Sequence, residues 1–251
     1  MGFYDLTKEE RTKKVEQIQQ KLLTHLKKNR TAGSLPFFSD EDTYIRKAAY
    51  QSIGKIFNQY AELRPHIIYL LQKSLEEKND SIRQTTINAA GEIGIKYFDT
   101  VESFFDKGLF DEHHSVRNAV IGSIKKMGEK NPAPILEWSK KYLHHPDKEI
   151  RREICHGIEL RGRTHPEDIL PLLKELQHDS TARVRNTLIH VIGQISYKKG
   201  CLSTVIKHLR KWENKDLVGK AVKEIIDVHD RYKDFATLTQ EEAEKYIQNT
   251  F

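Results

Sequence analysis

The chain has 251 residues, of which 37% are hydrophobic, and its 42 Lys and Arg against 36 Asp and Glu give a net charge of +6. This length and apolar content suffice to bury a core, which excludes an intrinsically disordered chain. The apolar runs are short, as at 67–71, whereas a membrane span needs about 20 residues. No signal-peptide pattern opens the chain, and Cys155 and Cys201 lack CxxC spacing. We therefore expect a cytoplasmic protein that makes no membrane contact.

The N-terminal segment predicts a capping helix over 5–30. Thr7 and Glu10 have the spacing of a capping box, and apolar residues then recur at helical spacing as far as Leu26. The stretch 29–39, which contains a glycine and a proline, is the longest predicted loop.

A repeat of 34 to 37 residues occupies most of the remaining chain. Its marker is an arginine preceded by isoleucine or valine, found at Arg46, Arg83, Arg117, Arg151 and Arg185. Val218 continues the pattern without the arginine, which indicates a sixth repeat. Seven residues after each marker position the residue is apolar, at Ile53, Ala90, Ile124, Ile158, Ile192 and Ile226. The next residue is a glycine at Gly54, Gly91 and Gly193, where neighbouring helices can approach closely.

Amphipathic segments of helical period lie between the markers, at 65–77, 100–110, 133–144, 166–178 and 202–212. Each repeat is then a helical hairpin. Its first helix is the amphipathic segment before the marker, and its second helix begins at the marker arginine. Stacked hairpins bury a shared core. We predict an all-α fold, a right-handed α-α superhelix of about six helical pairs, as a HEAT-like repeat solenoid. The predicted organisation is a single domain over 1–251, with repeats at 40–232. A capping box from Thr239 to Glu242 predicts a C-terminal helix at 238–251 that caps the array or frays.

Two strings at the starts of second helices, Asp80-Ser81-Ile82-Arg83 and more loosely Asp147-Lys148-Glu149-Ile150-Arg151, resemble HEAT repeats. A narrower likeness runs from Trp138 to Trp212 through His145-Pro146-Asp147, Ile150-Arg151-Arg152, 168–176 and Val184-Arg185-Asn186. This order is similar to the bacterial HEAT-like DNA alkylation repair proteins, the alkylpurine DNA glycosylase superfamily. The resemblance implies duplex DNA held on a basic concave face. In some members a carboxylate and tryptophans beside the lesion excise cationic alkylated bases, without a cofactor.

The sequence departs from that family at the lesion site. Trp138 and Trp212 lie on first helices and are expected to face the core, so a two-tryptophan clamp is not evident. His156 stands near the position where the family has an acid. The candidate catalytic carboxylates are Glu153, Glu159 and Asp227. Whether the chain is an enzyme, which would then be a DNA glycosylase, stays open.

The marker arginines allow two interpretations. In the structural one, which we favour, each guanidinium binds a carboxylate or carbonyls of its own or a neighbouring repeat, and Arg46, Arg83 and Arg117 form a structural ladder. In the functional one, a row of guanidinium groups tracks a phosphate backbone.

Basic residues are concentrated at 140–215, with 16 Lys and Arg against 9 Asp and Glu. A solvated face and a phosphate-binding groove explain this excess equally well. The candidate DNA-binding residues are Arg151, Arg152, Arg161, Arg163, Arg183, Arg185, Asn186, His190, Lys198 and Lys199.

The adjacent histidines at His113-His114 and His144-His145 fall in turns and lack the helical spacing of metal ligands. We predict no metal site and no cofactor. The two cysteines are interpreted as small buried hydrophobes.

The leading hypothesis is a monomeric DNA-binding HEAT-like protein related to alkylation repair proteins. The alternative is a non-catalytic protein-protein interaction scaffold whose concave face holds a peptide or a partner helix. A HEAT protein of the bilin-lyase type is a third hypothesis that no particular residue supports. A basic polar groove favours nucleic acid, whereas exposed apolar patches favour a protein partner.

Overall fold

The computed structural model describes residues 2–251, so Met1, the first residue of the predicted domain, lies outside the described part. Within that part the regular structure is entirely helical, without a strand. The α-helices are α1 (Lys8–Lys27), α2 (Leu35–Phe38), α3 (Thr43–Gln59), α4 (Arg64–Leu75), α5 (Asp80–Gly108), α6 (His114–Lys130), α7 (Pro132–Leu143), α8 (Lys148–Gly157), α9 (Glu159–Gly162), α10 (Pro166–Glu175), α11 (Ala182–Gln194), α12 (Cys201–Leu209), α13 (Lys215–Arg231) and α14 (Gln240–Thr250). Short 3₁₀ turns occupy Phe3–Asp5, Thr31–Ser34 and Ala61–Leu63.

First and second helices of the repeats alternate along the chain. Helix α5 contains one of each, because its backbone leaves helical geometry at Tyr97 (φ −130°, ψ 53°). The second helices pack on one another in order, with α3 against α5, α8 against α11 and α11 against α13. The prediction of an all-α array of helical pairs is confirmed. The chain divides into two compact units, one ending at Ser123 and one starting at Ile124.

Side-chain caps fix where the second helices begin. The backbone N–H of Tyr44 donates to Asp42 at 2.8 Å, that of Ser81 to Asn79 at 2.9 Å, and that of Glu149 to Asp147 at 2.8 Å. Each cap satisfies a backbone donor that the helix leaves unpaired, which is worth about 1 kcal/mol.

The apolar position seven residues after the marker lies in the core of the first five repeats. Ile53, Ala90, Ile124, Ile158 and Ile192 are all buried. The sixth repeat differs, because Ile226 is only half-buried and the adjacent Ile225 takes the core position.

The three glycines lie where successive second helices touch. A Cβ atom on Gly54 would lie 2.5 Å from Cβ of Glu92, and one on Gly193 would lie 2.6 Å from Cγ of Glu224. On Gly91 it would lie 2.5 Å from Oγ of Ser123. These distances are shorter than van der Waals contact, so the predicted close approach of neighbouring helices is confirmed.

The marker arginines bind the turn that precedes their own helices. Nη1 of each donates to the backbone carbonyl six residues earlier, on Asp40, Glu77, Asp111, His145 and Asp179 respectively. This is the pattern that the structural interpretation predicts.

Two of the marker arginines also reach a carboxylate of the next repeat. Arg83 contacts both oxygens of Asp111 at 2.8 and 2.9 Å, and Arg151 contacts both oxygens of Asp179 at 2.5 and 3.1 Å. Burial raises the pKa of Asp179, but hydrogen bonds from Arg151 and Thr181 outweigh it and lower that pKa to about 2.

The stretch 29–39, predicted as a loop, is largely helical. A 3₁₀ turn at Thr31–Ser34 leads into α2, in which Pro36 occupies an early position where a missing N–H costs nothing. Phe38 is fully buried and fixes this short helix to the core. The glycine and proline of this stretch therefore begin a helix instead of preventing one.

Both terminal helices begin with the predicted capping boxes. Thr7 pairs with Glu10 at the start of α1, and Thr239 pairs with Glu242 at the start of α14. Helix α14 packs against α13 and buries Ala243, so in the structure it covers the end of the array. Within residues 2–251 no helix combines the length and apolarity needed to cross a bilayer.

Candidate functional site

An open groove of about 570 Å³ lies between two neighbouring second helices of the C-terminal unit. Helix α8 contributes Arg152 and His156, and helix α11 contributes the other lining side chains. The lining of this α8–α11 groove consists of Arg152, His156, Arg183, Asn186, Thr187 and His190. Every one of these side chains can form hydrogen bonds, and two of them are permanently cationic.

The repeat register creates this lining. Arg152 and Asn186 are each one residue after a marker arginine, and His156 and His190 are each five residues after one. Because α8 and α11 pack in register, the two imidazole rings face each other edge-on, with their centroids 6.3 Å apart.

The two groove arginines share one carboxylate. Nε of Arg152 lies 3.0 Å from Oε2 of Glu149, and Nε of Arg183 lies 3.2 Å from Oε1. The Arg183 side chain is 64% exposed, so this contact is weakly held and the guanidinium faces solvent.

A buried ion network around Glu159, the first residue of α9, adjoins the groove at His156. Its Oε2 lies 3.2 Å from Nζ of Lys125 and 3.1 Å from Nε2 of His156, and its Oε1 accepts from Nη2 of Arg163 at 2.5 Å. Burial raises the pKa of Glu159, but the hydrogen bond from His156 and the charges of Lys125 and Arg163 outweigh it and lower that pKa to about 2. The carboxylate is therefore ionised at neutral pH.

A second carboxylate flanks the other histidine. Nδ1 of His190 lies 3.6 Å from Oε1 of Glu224 on α13, and the same oxygen is 3.3 Å from Nη1 of Arg231. Lys125, His156, His190 and Glu224 thus form one polar row across four successive second helices.

The structure gathers four of the ten candidate DNA-binding residues in the groove, and these are Arg152, Arg183, Asn186 and His190. The guanidinium groups of Arg151 and Arg185 are engaged with Asp179 and turn carbonyls instead.

The other four candidates lie outside the groove lining. Arg161 pairs with Asp168 at 2.7 Å, and Arg163 serves the network around Glu159. Lys198 stacks over the ring of Tyr197, and Lys199 is exposed.

The candidate catalytic carboxylates do not converge on one exposed position. Glu153 and Glu159 are buried, whereas Asp227 is exposed on α13. Trp138 and Trp212 are both 1% exposed, so the expectation that they face the core is confirmed.

Two residues that line the groove, His156 and Thr187, are not among the predicted binding residues, and the pairing of His156 with His190 was not predicted either. The 34-residue interval between His156 and His190, equal to the repeat length, was the available signal for the pair. The network of Lys125 with Glu159 has the same signal, since both residues are eight positions after a marker arginine. For Thr187 we find no comparable repeat spacing in the sequence.

The fold and the repeats agree with known proteins. The N-terminal domain of MAST/Orbit superposes with a TM-score of 0.54 at 15% identity, over 78% of this chain and 96% of that one. A TOG domain of Crescerin superposes with a TM-score of 0.50 at 18% identity, over 82% of this chain and 88% of that one. Crescerin uses its TOG domain array to regulate microtubules in the primary cilium. At these identities the likeness shows the fold alone, and it confirms the HEAT-type helical solenoid class.

No curated protein sequence matches the chain. The narrower likeness to alkylation repair proteins finds no support in these comparisons. A family model does match residues 35–250, and it describes the sister chromatid cohesion protein PDS5. This match covers most of the chain, which therefore belongs to the PDS5 family.

Proposed function

We propose that this protein is a non-catalytic interaction scaffold that binds an acidic segment of a protein partner in the α8–α11 groove. The observation that carries the proposal is the groove lining, in which two arginines lie with histidine, asparagine and threonine side chains in an open channel between two helices. A basic polar groove taken alone favours nucleic acid, but membership of the PDS5 family and the absence of support for the DNA repair likeness favour a protein as the partner.

Arg183 supplies the main charge for recognition. Its exposed guanidinium contacts Glu149, and a partner carboxylate would replace that contact with two parallel hydrogen bonds. Asn186 and Thr187 lie on the same helix and can pair with the backbone of an extended segment. The basic excess at 140–215 would steer an acidic chain toward the groove.

The state of the carboxylates favours a binding role over catalysis. An ionised Glu159 with a pKa near 2, held by Lys125, His156 and Arg163, is a weak base for activating water. Its Oε1 accepts from Arg163, and its Oε2 lies beside Lys125 and His156.

A fluorescence anisotropy titration tests the proposal. The probe is a labelled peptide of about twelve Glu, Asp and Ser residues, compared with a labelled DNA duplex. We expect micromolar peptide binding that Arg183→Glu weakens about tenfold or more, because charge-assisted hydrogen bonds contribute about 1.5–3 kcal/mol each. Lys199→Glu is the matched control, since it makes the same charge change at an exposed site outside the groove.

Three outcomes would contradict the proposal. Equal weakening by both variants would mean that the charge acts diffusely and not through the groove. An absence of peptide binding would remove the acidic segment as the partner. Tighter binding to the duplex, with steep salt dependence and loss in Arg183→Glu, would restore the nucleic-acid hypothesis.

A further inference from the structure

We propose that His156, Glu159 and His190 form a binding site for a divalent transition-metal cation, with Zn²⁺ as the best fit, beside the α8–α11 groove. Each residue offers one ligand atom, and these atoms all lie within 4.8 Å of one another. Two imidazoles and one carboxylate are a ligand set that Zn²⁺ accepts in tetrahedral sites, where the fourth position stays open.

The spacing of the first two ligands suits a single cation. Nε2 of His156 and Oε2 of Glu159 are 3.1 Å apart. Zn–N and Zn–O bonds of about 2.0–2.2 Å at tetrahedral angles place two ligand atoms roughly 3.3 Å apart. His156 lies in the last turn of α8 and Glu159 begins α9, so a cation there would join the two parts of this broken second helix.

The third ligand comes from the next repeat and already has a supporting carboxylate. Nδ1 of His190 faces Glu224 at 3.6 Å, which leaves Nε2 of this ring as the coordinating nitrogen. A carboxylate behind a ligand histidine fixes the tautomer and raises the basicity of the ring. Arg231 in turn holds Glu224 at 3.3 Å.

Lys125 marks where the cation binds. Its Nζ lies 2.9 Å from Nε2 of His156 and 3.2 Å from Oε2 of Glu159, so an ammonium group already bridges the same two ligand atoms. The Lys125 side chain is 24% exposed and can turn toward solvent when a metal ion replaces it. Arg163 binds Oε1 of the carboxylate and leaves Oε2 for the metal.

The neighbouring cations set the strength of the site. Lys125 competes directly for the ligand atoms, and Arg163 opposes a second positive charge beside Glu159. We therefore expect binding in the micromolar range, and we expect removal of the Lys125 ammonium to strengthen it.

Calorimetric titration of the folded full chain with Zn²⁺ alone tests the site, with Co²⁺ absorption as a report on tetrahedral geometry. We expect one equivalent to bind, at least tenfold tighter in Lys125→Ala and at least tenfold weaker in His190→Ala. His190 is partly exposed, so its replacement should leave the fold intact. His144→Ala is the control, because His144 also pairs with a glutamate, at 2.7 Å from Glu175, but at the surface.

Failure of the wild-type chain to bind Zn²⁺ would overturn the proposal, even if Lys125→Ala binds it, because Lys125 would then be the permanent occupant. Equal weakening in His144→Ala and His190→Ala would also overturn it. The titration contains no peptide, so its failure leaves the acidic-segment proposal standing, and a failed peptide titration leaves this site standing.

Discussion

Replacing Asp179 with alanine tests how strongly the arginine contacts stabilise neighbouring repeats. The Asp179 carboxylate accepts from Nε and Nη2 of Arg151 and from the backbone N–H and hydroxyl of Thr181, at 2.5 to 3.1 Å. The side chains of Arg151 and Asp179 are 12% and 5% exposed. The alanine variant therefore loses a mostly buried ion pair together with the turn that precedes α11.

The expected loss of stability depends on the hydrogen bonds that Arg151 retains in the variant. Removing one partner of a fully buried pair costs about 3–5 kcal/mol, because the remaining charge is left without compensation. Here Nη1 of Arg151 keeps the carbonyls of His145 and Pro146, at 2.7 and 2.9 Å. We therefore expect Asp179→Ala to lower the free energy of unfolding by about 2–3 kcal/mol, which is about 4–12 °C in Tm for a chain of this size.

Urea unfolding followed by circular dichroism measures this change, with calorimetry for Tm. Asp168→Ala is the matched control, since it removes the 2.7 Å pair with Arg161, in which the aspartate is 34% exposed. The control should lose less than about 1 kcal/mol. Losses of equal size in the two variants would refute the argument that burial makes the Asp179 pair stabilising.

Three further predictions concern the packing at Gly193, the ionisation of Asp179 and the burial of the two cysteines. Gly193→Ala should destabilise the protein by about 1–3 kcal/mol in urea unfolding, whereas Gly219→Ala, with open space around it, should be neutral or stabilising by up to about 1 kcal/mol. Because the pKa of Asp179 is lowered to about 2, its contribution to stability is present above about pH 4 and is lost as pH falls toward 2, a dependence that Asp179→Asn should abolish. Burial raises the pKa of both thiols, so Cys155 and Cys201 should resist a disulfide reagent at about pH 8 until denaturant is added, and rapid native labelling would contradict their placement.

The helical pairs could be predicted because each carries a local signal. The capping boxes at Thr7 and Thr239 and the marker arginines all fix helix starts through contacts within a few residues. The helical turns of residues 29–39 could not be predicted in this way. They depend on the burial of Phe38 in a core that the local sequence does not show.

The groove could be predicted only in part. The candidate DNA-binding residues of the fourth and fifth repeats pointed to the second-helix face, and four of them line the groove. Which arginines stay available depends on partners from other repeats, such as Asp179 for Arg151, and the sequence alone does not pair them. The contact of Lys125 with Glu159 likewise needs the packed register of two helices.

The weak specificity of the repeat strings has a physical origin. An aspartate such as Asp147 is selected because it caps the second helix, and the arginine that follows is selected because it binds carbonyls of the preceding turn. Similar caps and arginine contacts recur in several repeats of this chain, where they serve helix starts and not a ligand. A likeness built on such strings therefore identifies the architecture, and it says little about the partner.

The pair of Arg151 with Asp179 also bears on cooperativity. In repeat arrays the stability is a sum of terms for single repeats and for the interfaces between neighbours, and a strong interface makes two repeats open together. This pair joins the fourth repeat to the fifth, and the α8–α11 groove lies between the same two repeats. We therefore expect the groove to form and open in one step. A ligand that binds it would slow hydrogen exchange in both repeats at once.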